Sequence, residues 1–295
     1  MRSTVMIDGQ LVLAERAQVS VFDRGFLYGD SVFESLRSYR GLPFALDEHL
    51  ARLKRSAERV AIALPVGLDT LRGEMLAALA AHGTADCYLR LTLSRGTGQS
   101  LGLDPDLAEK PLRVILVTDL TPPAEEVYEL GISAITHRVE RPSDVAGVAD
   151  AKIGNYLVAV MAMRRARALG AREALIEDRQ GRILEGASSN FFAVFSGTLV
   201  TAPQSAAILP GITREYVLSL ARARELKVDL RAIARLELAS ADEAFVTSSI
   251  RELVPIVSID GLRVGDGTPG PVTRGLLQAY REQAAAPFPP EPHPG

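Results

Sequence analysis

The chain has 295 residues, room for about two domains at roughly 150 residues each, and its 47% apolar and 23% charged content is that of a soluble globular protein with a sizeable core. Its 33 basic and 36 acidic residues leave a net charge of −3, which argues against nucleic acid or an anionic membrane as main partner. One cysteine, Cys87, excludes an internal disulfide framework. No apolar run is long enough to cross a membrane, and the longest, Tyr156 to Met163, stops at Arg164-Arg165. The N-terminus lacks the apolar centre of a signal peptide, so the expected compartment is the cytoplasm.

In chain order, Asp8-Gly9 between Val5-Met6-Ile7 and Leu11-Val12-Leu13 predicts a hairpin. A second hairpin turns at Arg40-Gly41, after Val32 to Arg37. Leu50, Leu53, Ala57, Val60 and Ala61 recur at helical spacing, so Leu46 to Ile62 reads as a helix with Asp47 as candidate cap. Leu71 to Ala81 is a second helix, and Tyr88 to Ser94 and Arg113 to Thr118 are strands. The stretch 121–130, opened by Pro122-Pro123, separates a small domain over 1–120 from a larger one over 131–283. In the second half, Tyr156 to Leu169 is a helix ended by Gly170. Ala174–Ile176 and Arg182–Glu185 pair about Arg179-Gln180-Gly181, and Asn190–Phe195 and Ala244–Thr247 are further strands. Pro210-Gly211 starts a helix running to about Arg224. The end of the chain, 284–295, is a disordered tail whose last nine residues include five prolines. The whole is a mixed α/β pattern.

The four histidines are far apart and no metal-ligand spacing occurs, so no metal site is expected. Gly96-Thr-Gly98-Gln-Ser-Leu-Gly102 follows a strand but is one residue too long for a dinucleotide loop, and it reads as a mobile surface loop. Neither a phosphate-binding Gly-x-x-x-x-Gly-Lys nor a Gly-x-Ser-x-Gly elbow is present. The cations are more informative. Only four are lysines: Lys54, Lys110, Lys152 and Lys227. Lys54 belongs to a charged helix face, Lys110 to a polar stretch, and Lys227 to a helix end. Lys152 stands among small and apolar residues, Val148 to Val158. Taken alone it reads as a lysine at a helix start. Desolvated, it could attack a carbonyl and form a Schiff base.

Its surroundings decide between the two. The stretch around Lys152 resembles the catalytic-lysine motif of fold-type IV pyridoxal 5′-phosphate enzymes, the class IV aminotransferases. His49-Leu-Ala-Arg-Leu53, Glu185-Gly-Ala-Ser-Ser-Asn190 and Pro210-Gly-Ile-Thr-Arg214 resemble further motifs of that family, in order and spacing, and the likeness covers roughly Met6 to Arg281. The resemblance implies a small N-terminal α/β domain, a larger C-terminal domain with a β-barrel-like core, and a homodimer. By resemblance, Lys152 carries the cofactor and shuttles the proton, and Glu185 sits beside the pyridine nitrogen. Arg52 holds the phosphate together with backbone N–H groups of Ile212 and Thr213 and the Ser248-Ser249 loop. Tyr156 faces the phenolic oxygen. Tyr28, Phe33, Arg37, Tyr88, Arg90 and Ile250 would meet the substrate. Branched-chain enzymes usually have glycine where Ser35 stands, and Lys152 to Tyr156 is one residue shorter than their usual spacing. The implied activity is an aminotransferase, branched-chain-like, passing an amino group from an α-amino acid to 2-oxoglutarate or pyruvate. Aminodeoxychorismate lyase and D-amino-acid aminotransferase remain alternatives.

Overall fold

The computed structural model describes residues 2–98, 100–139, 148 and 150–286. Its first half comprises β1 (Ser3–Ile7), β2 (Gln10–Val12), α1 (Arg24–Tyr28), β3 (Ser31–Tyr39), β4 (Leu42–Pro43), α2 (Leu46–Arg59), α3 (Leu68–His82), β5 (Cys87–Gly98) and β6 (Ala108–Asp119). The six strands form one antiparallel sheet in the order β2-β1-β6-β5-β3-β4.

Strand periodicity divides the duties of this sheet. Along β5, Cys87, Leu89, Leu91 and Leu93 are buried in a cluster with Leu50 and Leu53 of α2 and Leu71 and Met75 of α3. Tyr88 and Arg90 alternate with them and so point to the opposite face. On β3, Val32 and Leu36 join the helix-side cluster, which leaves Phe33 and Ser35 on the face of Tyr88 and Arg90. Apolar packing on one side thus fixes which side chains are displayed on the other.

The second half runs α4 (Glu125–Leu130), β7 (Ile132–Arg138), α5 (Leu157–Ala168), β8 (Glu173–Glu177), β9 (Arg182–Gly186), β10 (Ser189–Phe195), β11 (Thr198–Thr201), α6 (Ile212–Ala223), β12 (Lys227–Leu230), β13 (Ile233–Ala234), β14 (Glu243–Ser248), β15 (Glu252–Ile259), β16 (Leu262–Arg263) and α7 (Pro271–Ala285). Six strands close into a ring, β10-β14-β15-β7-β8-β9 and back to β10. The closing pair is a tight hairpin in which Glu185 faces Asn190 and Gly186 faces Ser189. This ring is the β-barrel-like core that the resemblance implies. Phe192 and Phe245 stack at 4.9 Å between ring centroids and are fully buried.

Some local expectations need correction. Asp47 does not cap α2: the cap position is Ala45, in a left-handed conformation with φ 54°. Asp47 lies in the first turn, where its carboxylate favours the helix dipole and accepts from Arg72 Nε at 3.1 Å. The helix stops at Arg59, short of Ile62. Gly96 and Gly98 belong to β5 and not to a surface loop. A Cβ on Gly96 would stand 1.6 Å from Lys110 O, and one on Gly98 would stand 1.9 Å from Leu107 O, so glycine is needed there for β6 and the turn that precedes it to approach. Lys152 is not in a helix, since α5 begins five residues later. Ala284 and Ala285, assigned to the tail, form the last turn of α7, while 287–295 lie outside the described residues.

Candidate active site

The two halves meet around a cavity of about 930 Å³. Its walls include Phe33, Tyr88 and Arg90 from the six-stranded sheet, and Glu185, Thr247 and Ile250 from the ring and its loops. Lys152, Arg52, Tyr156, Ile212, Thr213, Ser248 and Ser249 also line it. Two expected residues do not. Tyr28 ends α1, is 37% exposed, and its hydroxyl accepts from Gly102 N at 3.2 Å. Arg37 is buried, donates from Nη1 to Glu252 Oε1 at 3.2 Å and packs over the Tyr39 ring. Arg37 therefore secures the foot of β15, beside the 249–251 turn, from outside the cavity.

Lys152 is held by its backbone. Its N–H donates to Ser56 Oγ at 3.0 Å, and its carbonyl accepts from Phe33 N at 3.0 Å. Gly154 N donates to Ser31 O at 2.7 Å, and a Cβ there would stand 2.1 Å from Ser31 Oγ. The segment is thus pinned between β3 and α2, with the side chain free to enter the cavity. Nζ donates to Tyr156 OH at 3.3 Å and lies 4.5 Å from the Phe33 ring centre. Burial pushes the amine down to about 8; Arg52 and Arg90 push the same way, while Glu34 and Glu185 oppose them. A lysine that is partly neutral near pH 8 is a nucleophile and a base. Burial likewise raises the Tyr156 hydroxyl, which keeps it a donor.

Glu185 enters from the barrel-closing hairpin, and its Oε2 accepts from Leu209 N at 3.2 Å. Across that hairpin, Asn190 Nδ2 donates to Leu209 O at 2.9 Å. Asn190 Oδ1 also lies 1.8 Å from where a Cβ on Gly211 would be, so the Pro210-Gly211 turn needs its glycine. The turn delivers the start of α6, whose cap residue Gly211 offers no side chain to the first N–H groups. Those groups open onto the cavity at Ile212 and Thr213, a ready anion site. Arg52 adds its charge. Of its five N–H donors, Nε and Nη2 reach Glu34 at 2.8 and 2.7 Å, and Nη1 reaches Pro210 O at 2.9 Å. Two N–H bonds thus remain for an anion.

Other groups stand at this wall or just behind it. Glu34 sits between Val32 and Leu36 on the helix-side face of β3, and an acid facing a core requires a partner. His49 and Arg52 supply it from one face of α2, three residues apart. Ser35 Oγ lies 3.1 Å from Tyr88 OH, a cross-strand contact legible only once the register is known. Thr247 Oγ1 is buried without a hydrogen-bond partner among the described residues.

The chemistry has parallels in known proteins. Residues 31–259 match the family model for amino-transferase class IV. The chain is 37% identical over 279 residues to the candidate branched-chain-amino-acid aminotransferase of Methanocaldococcus jannaschii, covering 94% of this chain and 95% of that protein. It is 34% identical over 283 residues to the D-alanine aminotransferase of Bacillus licheniformis, with 94% and 95% covered. The crystal structure of the T.th. branched-chain amino acid aminotransferase with pyridoxamine 5′-phosphate superposes with a TM-score of 0.90 at 31% identity, over 96% of this chain and 95% of that one.

Proposed function

The chain belongs to the amino-transferase class IV family, and on that footing we propose a pyridoxal 5′-phosphate transaminase of branched-chain-like type, passing the amino group of an α-amino acid to 2-oxoglutarate or pyruvate. One observation carries the reading: a single cavity gathers a desolvated lysine, a carboxylate, and an anion site built from Arg52 and the start of α6. The cofactor fits these groups. Its phosphate suits the α6 N-terminus, the two spare N–H bonds of Arg52 and the unpartnered Thr247 hydroxyl. Its ring nitrogen suits Glu185. When bound, it supplies an aldehyde that takes up the amino group and a protonated ring that accepts electrons from Cα.

The protein does the rest. Lys152 Nζ would hold the cofactor covalently between turnovers, and as a free amine it would take the α-proton from substrate and deliver it to the carbon that keeps the amino group. Glu185 keeps the ring nitrogen protonated. Tyr156 donates to the phenolic oxygen. Phe33, Tyr88, Arg90 and Ile250 shape the substrate side, and the Ser248-Ser249 loop closes the anion end. Tyr28 and Arg37, expected at the substrate, take part only indirectly in this reading.

We also infer that two copies pair. The α1 region and the 101–103 loop present Phe26, Leu101 and Leu103 to solvent at 72%, 67% and 78% exposure, beyond what a monomer surface favours. The proposed units are 1–120 and 131–283. Among the described residues no helix is long and apolar enough to cross a membrane. The proposed compartment is the cytoplasm, where a lone thiol such as Cys87 stays reduced.

The deciding experiment offers purified holoprotein a panel of L- and D-amino acids with 2-oxoglutarate or pyruvate. Transfer from L-leucine, L-isoleucine or L-valine supports the reading. Transfer from D-alanine alone supports the D-specific alternative that the Bacillus licheniformis likeness keeps open. Pyruvate release from aminodeoxychorismate without any acceptor marks a lyase. A colourless protein that takes up no added cofactor refutes all three.

A further inference from the structure

Glu34 and His49 are both 1% exposed in their side chains, and nothing in the proposed chemistry uses either. Glu34 nevertheless sits at the centre of a chain of contacts. Its Oε1 accepts from Arg52 Nε at 2.8 Å, and its Oε2 accepts from Arg52 Nη2 at 2.7 Å. The same Oε2 lies 2.7 Å from His49 Nδ1. The other ring nitrogen, Nε2, lies 3.3 Å from Ser249 Oγ. The chain Arg52–Glu34–His49–Ser249 thus runs from the helix that backs the first sheet to the loop between β14 and β15. A buried acid and its partners are hard to justify as packing alone, because apolar side chains of similar size would serve a core at lower desolvation cost.

The contacts also fix the direction of each hydrogen bond. A carboxylate can only accept, so His49 Nδ1 carries the proton and donates it to Glu34. Burial, only partly offset by Glu34, holds the imidazole below its ordinary value and so in its neutral form. A neutral ring protonated at Nδ1 has a bare Nε2, which accepts from the Ser249 hydroxyl. The Ser249 proton is then committed to His49, so the hydroxyl anchors the 249–251 turn to α2 rather than donating to an anion.

We propose that Glu34 and His49 are positioning residues: Glu34 sets the Arg52 guanidinium, and His49 anchors the turn that carries Ser249, so that one carboxylate registers the two sides of the anion end of the cavity. This rests on the cofactor reading above, in which Arg52 and the Ser248-Ser249 loop close on the phosphate. His49 acts through Ser249, and neither it nor Glu34 touches a reacting atom.

The test is a double-mutant cycle read by absorbance titration of apoprotein with pyridoxal 5′-phosphate, alongside KM and kcat. His49→Asn keeps a donor near the Nδ1 position and loses the reach to Ser249; His49→Gln reaches the Nε2 position. One hydrogen bond is worth roughly 2- to 10-fold in affinity. His49→Asn and Ser249→Ala should each weaken cofactor binding by about that factor, and for His49→Asn, which touches no reacting atom, kcat at saturating cofactor should be nearly unchanged. The double variant should be no worse than either single one, and His49→Gln should restore the wild-type value. Losses that multiply in the double variant, or a His49→Gln as weak as His49→Asn, would reduce His49 to packing and overturn the proposal. If His49→Asn does not fold, nitrogen NMR on wild type and Ser249→Ala decides, with only four histidines to assign. The Nδ1-protonated ring, with an Nε2 signal that moves on losing Ser249 Oγ, is expected; the opposite tautomer, or an unmoved signal, overturns the link. Wild-type apoprotein that takes up no cofactor at all would instead refute the proposed function.

Discussion

Lys152 gives the sharpest quantitative test. Its amine falls from 10.5 to about 8, first through burial and further through Arg52 and Arg90, against the pull of Glu34 and Glu185. An amine with a value of 10.5 is neutral in about one molecule in three thousand at pH 7, and one at 8 in about one in ten, so the cavity raises the nucleophilic fraction roughly three-hundredfold. Apoprotein mixed with pyridoxal 5′-phosphate, then trapped with borohydride, reads this fraction as a rate. The capture rate should rise about tenfold per pH unit below pH 8 and level off above it. Arg90→Gln removes a cation from beside the amine and should move the midpoint upward. The stability sign follows from linkage: between about pH 8 and 10.5 the unfolded lysine holds a proton that the folded one has lost. Apoprotein stability should therefore rise with pH across that window, and Lys152→Met should abolish this rise. A capture midpoint near 10.5, or an Arg90→Gln midpoint that stays put or falls, would refute the argument that burial and flanking cations set the amine.

Other substitutions test the remaining walls. Lys152→Ala should still bind the cofactor but resist borohydride fixation, with transamination down by on the order of 10³-fold, the scale of a lost proton-transfer group. Glu185→Gln should lower kcat far more than it raises KM, measured with saturating cofactor, because it keeps an acceptor for Leu209 N–H but loses the charge. Ser35→Gly frees the Tyr88 hydroxyl and widens the cavity wall; kcat/KM for leucine relative to alanine should rise by about tenfold, within the reach of one methylene-sized change. Phe192→Ala opens a void against the stacked Phe245 and should cost about 3–5 kcal/mol in denaturant unfolding.

The sequence showed different parts of this molecule with unequal clarity. The hairpin at Asp8-Gly9 and the helices of the first half were readable because turn chemistry and apolar period agree there. Lys152 was readable because arginine has replaced lysine almost everywhere else, and the motifs about Arg52, Glu185 and Pro210 fixed its company. The Ala45 cap was hidden, since a left-handed alanine carries no sequence signal. The role of Gly96 and Gly98 differs from that of a surface loop because their necessity comes from the approach of a neighbouring strand, which no local pattern announces. The β10–β14 and β7–β15 pairings of the ring, the Ser35–Tyr88 contact and the bond of His49 to Ser249 all join residues across long sequence separations. The placement of Arg37 on Glu252 belongs with these.

The barrel-closing hairpin has one more consequence. Glu185 and Asn190 face each other across the pairing that turns an open sheet into a ring, and through Leu209 they also hold the turn that aims α6. The strands on either side of this hairpin, β8 and β14, are far apart in sequence. A ligand gripping Glu185 and the start of α6 therefore spans the seam of the ring and makes opening it costlier, by RT ln(1 + [L]/Kd). Amide hydrogen exchange should show the cofactor protecting Ser189 to Phe192 and their partners on β14 far more than the helices of the first sheet. In that sense the prosthetic group serves as a clasp, and its loss would loosen the barrel at the place where the chemistry is done.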